Sequence, residues 1–117
     1  MIVELYTAIL AKEKGFNEWC DDYYRNEEKC YEAGGVKSSD TFDDIYPAPT
    51  QVELQTWLRE KKGYHVYCYL NMGKDGYNVT IESINNIKTL PMHIGGGHED
   101  YNISFEYGLF NALNLVK

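Results

Sequence analysis

Apolar and polar residues along this chain follow two periods, and the switches between them mark out its elements. Around Thr50 to Gly63 the period is helical: Leu54, Trp57 and Leu58 recur at i, i+3, i+4 and share one face. Pro47-Ala48-Pro49 holds the approach extended, Thr50 stands at the N-cap, and Glu53 completes a capping box. Arg59, Lys61 and Lys62 fill the last turn, where the macrodipole favours cations, and Gly63 supplies a left-handed stop. The period then drops to two. In Tyr64–Leu70, Val66, Cys68 and Leu70 face one way and His65, Tyr67 and Tyr69 the other. Asn71–Gly76, with two glycines and an Asp-Gly pair, reads as a hairpin loop. Tyr77–Ile84 alternates again, with Tyr77, Val79 and Ile81 opposite Asn78, Thr80 and Glu82.

The C-terminal pattern returns to a helix. Phe105, Leu109, Ala112, Leu113 and Val116 form a stripe behind an Asp100 N-cap. Gly108 lies inside this stripe, where it costs about 1 kcal/mol against alanine and permits close approach to a sheet. At the other end, residues 4–14 predict a short helix with Leu5, Ala8 and Ile9 on one face and Gly15 at its end. Trp19–Tyr24 and Lys29–Ala33 predict a hairpin around Arg25-Asn26-Glu27-Glu28. Residues 34–49 read as a long irregular connection. The order α-β-β-α-β-β-α predicts an α+β domain, 1–117, in which about three helices pack a small antiparallel sheet of two hairpins. The strict alternation of the second hairpin implies that one of its faces is open or only partly covered.

Length agrees with one domain, since 117 residues leave no room for two of ordinary size. No stretch approaches the ~18 apolar residues of a membrane span. The N-terminal run, broken by Glu4 and Lys12, lacks a basic leader, so a cytoplasmic location is expected. Cys20, Cys30 and Cys68 are odd in number and have no CxxC spacing, which suits reduced thiols. Charge changes the picture more. Residues 1–50 carry eleven acidic groups against five basic ones, whereas residues 51–117 carry seven against six. So acidic a half repels phosphate, which argues against duplex nucleic acid and leaves either a solvated surface or a face for a basic protein.

Three stretches carry a likeness to a known group. They are Ala11-Lys12-Glu13-Lys14-Gly15-Phe16, then Ala48-Pro49-Thr50 through Trp57-Leu58-Arg59-Glu60, then Tyr101 through Val116. In their order and spacing the chain resembles a family of short proteins encoded by phages, prophages and mobile elements of gut bacteria. The resemblance implies a shared fold and an accessory role in a mobile element; it implies no activity, and no catalytic residue transfers. Gly95-Gly96-Gly97 departs from the family's usual spacer.

The candidate chemistry is sparse. His93, His98, Glu99 and Asp100 are metal-type ligands, but they flank three glycines and lack the HExxH spacing, so a mobile loop is the simpler reading. The glycine triplet is not a phosphate cradle, because no lysine follows it and carboxylates do. His65 and Cys68 fall on opposite faces of a strand and form no dyad. Asp21-Asp22, Glu27-Glu28 and Asp40/Asp43/Asp44 read as solvated charge rather than a catalytic pair. Eleven tyrosines are the unusual component, and His65, Tyr67 and Tyr69 make the best single candidate for a protein-binding patch. The leading expectation is therefore a non-enzymatic accessory protein, without cofactor, that binds another protein through an acidic or tyrosine-rich surface. A metal-dependent enzyme using the His93–Asp100 loop is the first alternative. The second is a single-stranded nucleic-acid binder that stacks bases on tyrosines beside Arg59, Lys61, Lys62, Lys74 and Lys88.

Overall fold

A computed structural model of the chain describes residues 1–85 and 91–117, for 95–97 by their backbone alone. The fold is α+β, with three helices and two three-stranded antiparallel sheets among the described residues. The chain divides into two compact units, Met1–Glu53 and Leu54–Lys117, each with its own sheet.

The first unit begins with α1 (Leu5–Glu13). The helix closes in a Schellman motif: Phe16 N–H donates to Ala11 O at 2.9 Å and Gly15 N–H to Lys12 O at 3.2 Å, with Gly15 at φ 98°. Its buried face is Thr7, Ala8 and Ala11, not the expected Leu5, Ala8 and Ile9; Leu5 is half-buried and Ile9 exposed. Small residues on the inner side let the helix lie close to its neighbours, and Val3, Phe16 and Tyr24 supply the bulk of that core. Tyr24 buries its ring and donates its hydroxyl to Val3 O at 2.8 Å, so its polar end is satisfied. Lys12 turns its ammonium onto the far connection. It donates to Ile45 O at 2.7 Å, Phe42 O at 2.9 Å and Thr41 Oγ1 at 3.3 Å, and lies 5.4 Å over the Tyr46 ring. Ser38 Oγ adds a bond to Phe16 O at 2.7 Å.

Those bonds explain why residues 34–49 are more ordered than their composition suggests. They hold the end of β2, a 3-10 turn at Ser38–Asp40, and a third strand. The strands are β1 (Cys20–Arg25), β2 (Glu28–Val36) and β3 (Ile45–Ala48), in the order β2-β1-β3. Asn26 and Glu27 join β1 to β2 with φ of 53° and 67°, the paired left-handed conformation of a type I′ turn. A two-residue loop closes on a pair that exchanges both backbone bonds, so Arg25 and Glu28 bond to each other and the pattern alternates from there. Tyr23 and Cys30 bond across β1–β2, whereas Tyr24 and Asp22 turn their backbone groups to β3. Pro47 faces Tyr23, whose backbone groups are already used. Its missing N–H thus falls at a non-bonded site, the position a proline tolerates in a sheet.

The second unit opens within α2 (Gln51–Trp57), whose capping box forms as expected: Thr50 N–H meets Glu53 Oε1 at 2.8 Å, and Glu53 N–H meets Thr50 Oγ1 at 3.1 Å. The last turn, Leu58–Lys62, widens to a π-helix before Gly63 at φ 76° ends it. β4 (Tyr64–Leu70) and β5 (Tyr77–Ser83) form the expected hairpin. A strand absent from the sequence reading, β6 (Met92–His98), pairs with β5 and gives the order β4-β5-β6. The glycine triplet therefore lies in a strand and not in a loop, at the point where the β5–β6 register is irregular, a place where strand glycines are at home.

α3 (Tyr101–Leu115) starts at Asp100, whose Oδ1 accepts from Ile103 N–H at 3.0 Å. Phe105, Leu109, Ala112, Leu113 and Val116 are buried, as the stripe predicts. Gly108 is the contact point with the sheet. A methyl group there would collide with Val79 Cγ2 and come within 3.0 Å of Val66 Cγ1.

Two stability predictions follow from this geometry. Gly108→Ala gains helix propensity but overpacks the helix–sheet contact, so urea unfolding is expected to show a loss of about 1–3 kcal/mol. A gain in stability would mean that α3 does not sit this close. Glu27→Gly relieves a left-handed glutamate and is expected to stabilise by about 0.5–1 kcal/mol in the same assay.

Candidate functional site

The two faces of the second sheet differ sharply. One, bearing Val66, Val79 and Ile81, packs on α3. The other carries the candidate patch, which forms a ladder along β4. The His65 and Tyr67 rings stack with centroids 5.4 Å apart, and Tyr67 and Tyr69 follow at 6.0 Å. Tyr67 donates its hydroxyl to Glu82 Oε1 at 3.1 Å. Partial burial, then the bond to Glu82, raises the Tyr67 phenol above its ordinary range, while the nearby Thr80 hydroxyl pulls the other way. Across the strands Tyr67 faces Thr80, and Thr80 faces His93, whose Nδ1 lies 3.0 Å from Thr80 Oγ1. Thr80 is fully buried in the middle of this row, so the face is closed at its centre and open only along its flanks. His65 and Tyr67 are half-buried, and Tyr69 is 37 % exposed.

The ladder thus brings the three candidate residues together, but most of its polar capacity is spent internally. Its phenol–carboxylate bond joins β4 to β5, and its threonine–imidazole contact joins β5 to β6. The buried Nδ1 of His65 makes no hydrogen bond among the described residues.

Compared with protein-family models, curated proteins and solved structures, the chain matches none. Its site must be read from its own atoms.

Among the described residues no three His, Cys, Asp or Glu side chains gather as a metal site would require. His93 contacts Thr80, His98 pairs with Tyr77 in the strand register, and Asp100 caps α3. The register explains this dispersal, because His93 pairs with Thr80 and His98 with Tyr77, and those two are three apart on β5 and so face opposite sides. Of the cations proposed to flank a stacking surface, Lys88 lies outside the described residues, and Lys62 sits 5.4 Å over the Trp57 ring. No helix among the described residues is long and apolar enough to cross a membrane.

The acidic region is the larger feature. The unit Met1–Glu53 has twelve acidic groups and five basic ones, whereas Leu54–Lys117 has six of each. The whole net charge of −7 therefore belongs to the first unit. Three of that unit's five cations already have internal work: Lys12 holds the far connection, Arg25 lies 3.7 Å from Asp44, and Lys37 lies 5.0 Å over Trp19. Large apolar side chains also stand in solvent there, with Tyr31 68 % and Phe42 78 % exposed.

The same field acts on the buried thiol. Burial first, then the carboxylates of Glu53, Asp21, Asp22 and Glu18, push Cys20 up to about 12 from an ordinary value of 9.0. The Cys68 thiol is also raised, chiefly by burial. A pKa raised on folding gives stability that is whole below the unfolded value and is lost as pH climbs through the folded one. The unfolding midpoint is therefore expected to fall between pH 9 and pH 12, and to fall less steeply in Cys20→Ala. Parallel profiles for the two proteins in denaturant titrations would remove Cys20 as a cause.

Proposed function

We propose that this chain is a non-enzymatic accessory protein that binds another protein through the acidic surface of its first unit. The observation that carries the reading is the charge partition, −7 on Met1–Glu53 and zero on Leu54–Lys117. Self-repulsion makes a charge confined to one unit costly to keep, and attraction of a basic partner offsets that cost. Exposed aromatics beside the carboxylates support the same reading, since tyrosine and phenylalanine give contact area that charge alone does not. The His65–Tyr67–Tyr69 ladder becomes the secondary candidate, because its bonds to Glu82 and its closed centre leave less to offer. A setting in a phage or other mobile element rests on the sequence resemblance alone, and a cytoplasmic location goes with it.

Affinity capture from the producing host tests this reading when two baits are compared. The first is the chain as it stands. The second carries Asp21→Asn, Asp22→Asn, Glu27→Gln and Glu28→Gln. A basic protein held in near-equal amount by the first bait should fall about tenfold or more on the second. Equal retention on both, or nothing retained by either, would sink the acidic surface as a binding site.

A further inference from the structure

The first sheet has one edge that is chemically blunted and one that is open. At the β3 edge, Pro47 has no N–H to offer at an outward-facing position. β2 forms the other edge, and among the described residues no strand pairs with its outer side. The alternation set by the Asn26-Glu27 turn decides what that side presents. Glu28 and Cys30 spend their backbone groups on Arg25 and Tyr23, so the N–H and C=O of Lys29 and Tyr31 point away from β1. β2 is also exposed on both faces from Glu28 to Gly34, apart from the half-buried Cys30. Beyond Tyr31 the register slips, and Gly34 and Gly35 turn left-handed at φ 90° and 85°. Regular pairing thus covers Glu28–Tyr31, and Glu32 is the next residue of the same strand.

Unpaired amides and carbonyls on such an edge recruit other strands, and the charges of Glu28, Lys29 and Glu32 keep off all but a complementary one. The charge around it indicates what kind of strand fits. Glu28 and Glu32 share one face, Lys29 and Tyr31 the other, and the hairpin also carries Asp21, Asp22 and Glu27. An added strand would set every second side chain beside Glu28 and Glu32, and the alternate ones beside the exposed Tyr31 ring. We propose that the free edge of β2 over Glu28–Glu32 accepts an extended segment of a partner protein in which basic and apolar residues alternate. Main-chain bonds to Lys29 and Tyr31 supply the docking, and the acidic side chains supply the choice of partner. The inference rests on the reading of the first unit as a protein-binding surface, and adds how the partner is held.

The test uses a blocked peptide of alternating lysine and valine, titrated into the full chain and followed by amide NMR. The expected result is shifted, exchange-protected amides at Lys29 and Tyr31, and no binding of the matching glutamate–valine peptide. Methylating alternate amide nitrogens of the lysine peptide should weaken binding about tenfold or more, since it removes main-chain donors and keeps the charge. Tyr31→Pro should weaken binding about as much while keeping the melting temperature, because the N–H it removes faces outward as that of Pro47 would. If that variant does not fold, the methylated peptide on the unaltered chain still decides the matter. Equal binding of the methylated peptide would overturn strand addition and leave the acidic surface standing. No binding of the lysine peptide would also overturn it, without touching the partner capture described above. A dimer that Tyr31→Pro dissolves would give the edge to a second copy of the chain, and overturn the proposed occupant.

Discussion

Two residues in the left-handed region, Asn26 and Glu27, decide which way the backbone groups of the first sheet point. Because their turn is two residues long, the pair Arg25–Glu28 bonds face to face and every later pair alternates. That alternation sets Tyr24 inward over Val3, directs Tyr24 and Asp22 to β3, and gives Pro47 the one kind of site it can fill.

The second sheet is organised by packing rather than by a turn. Gly108 lets α3 settle against Val66 and Val79, and the buried stripe from Phe105 to Val116 follows from that approach. With one face committed to the helix, the other had to be closed by its own side chains. His65, Tyr67, Thr80, Glu82 and His93 do so with stacking and hydrogen bonds across three strands. A row that looks like a binding patch by composition is in good part a means of satisfying polar groups on a half-covered sheet.

Elements fixed by local chemistry were legible in the sequence. The Thr50–Glu53 capping box, the Gly63 and Gly15 stops, the Asp100 cap, the hairpin of β4 and β5 and the α3 stripe all depend on residues within a few positions of one another. What escaped depends on distant partners. β3 is short and contains a proline, and it exists because β1 had donors left over and Lys12 holds the neighbouring carbonyls. β6 contains three glycines and no alternation, and only the free side of β5 makes it a strand. The inner face of α1 was misjudged because Thr7 and Ala11 are not hydrophobic enough to mark it. Of the candidate site, sequence located the acidic half and the aromatic row. It did not locate the open edge of β2, because it read a four-residue turn at Arg25–Glu28, whereas Arg25 and Glu28 already pair and only Asn26 and Glu27 form the turn.

The Lys12 ammonium ties together parts of the chain about thirty residues apart, with two carbonyls and a hydroxyl gathered on one cation. Releasing the connection at 41–46 strips that cation of its acceptors, and fraying the end of α1 removes the cation from the connection. Neither segment can open cheaply alone, so the two should melt as a single cooperative subunit of the fold, with the helix stop at Gly15 and the approach to β3 lost in the same event.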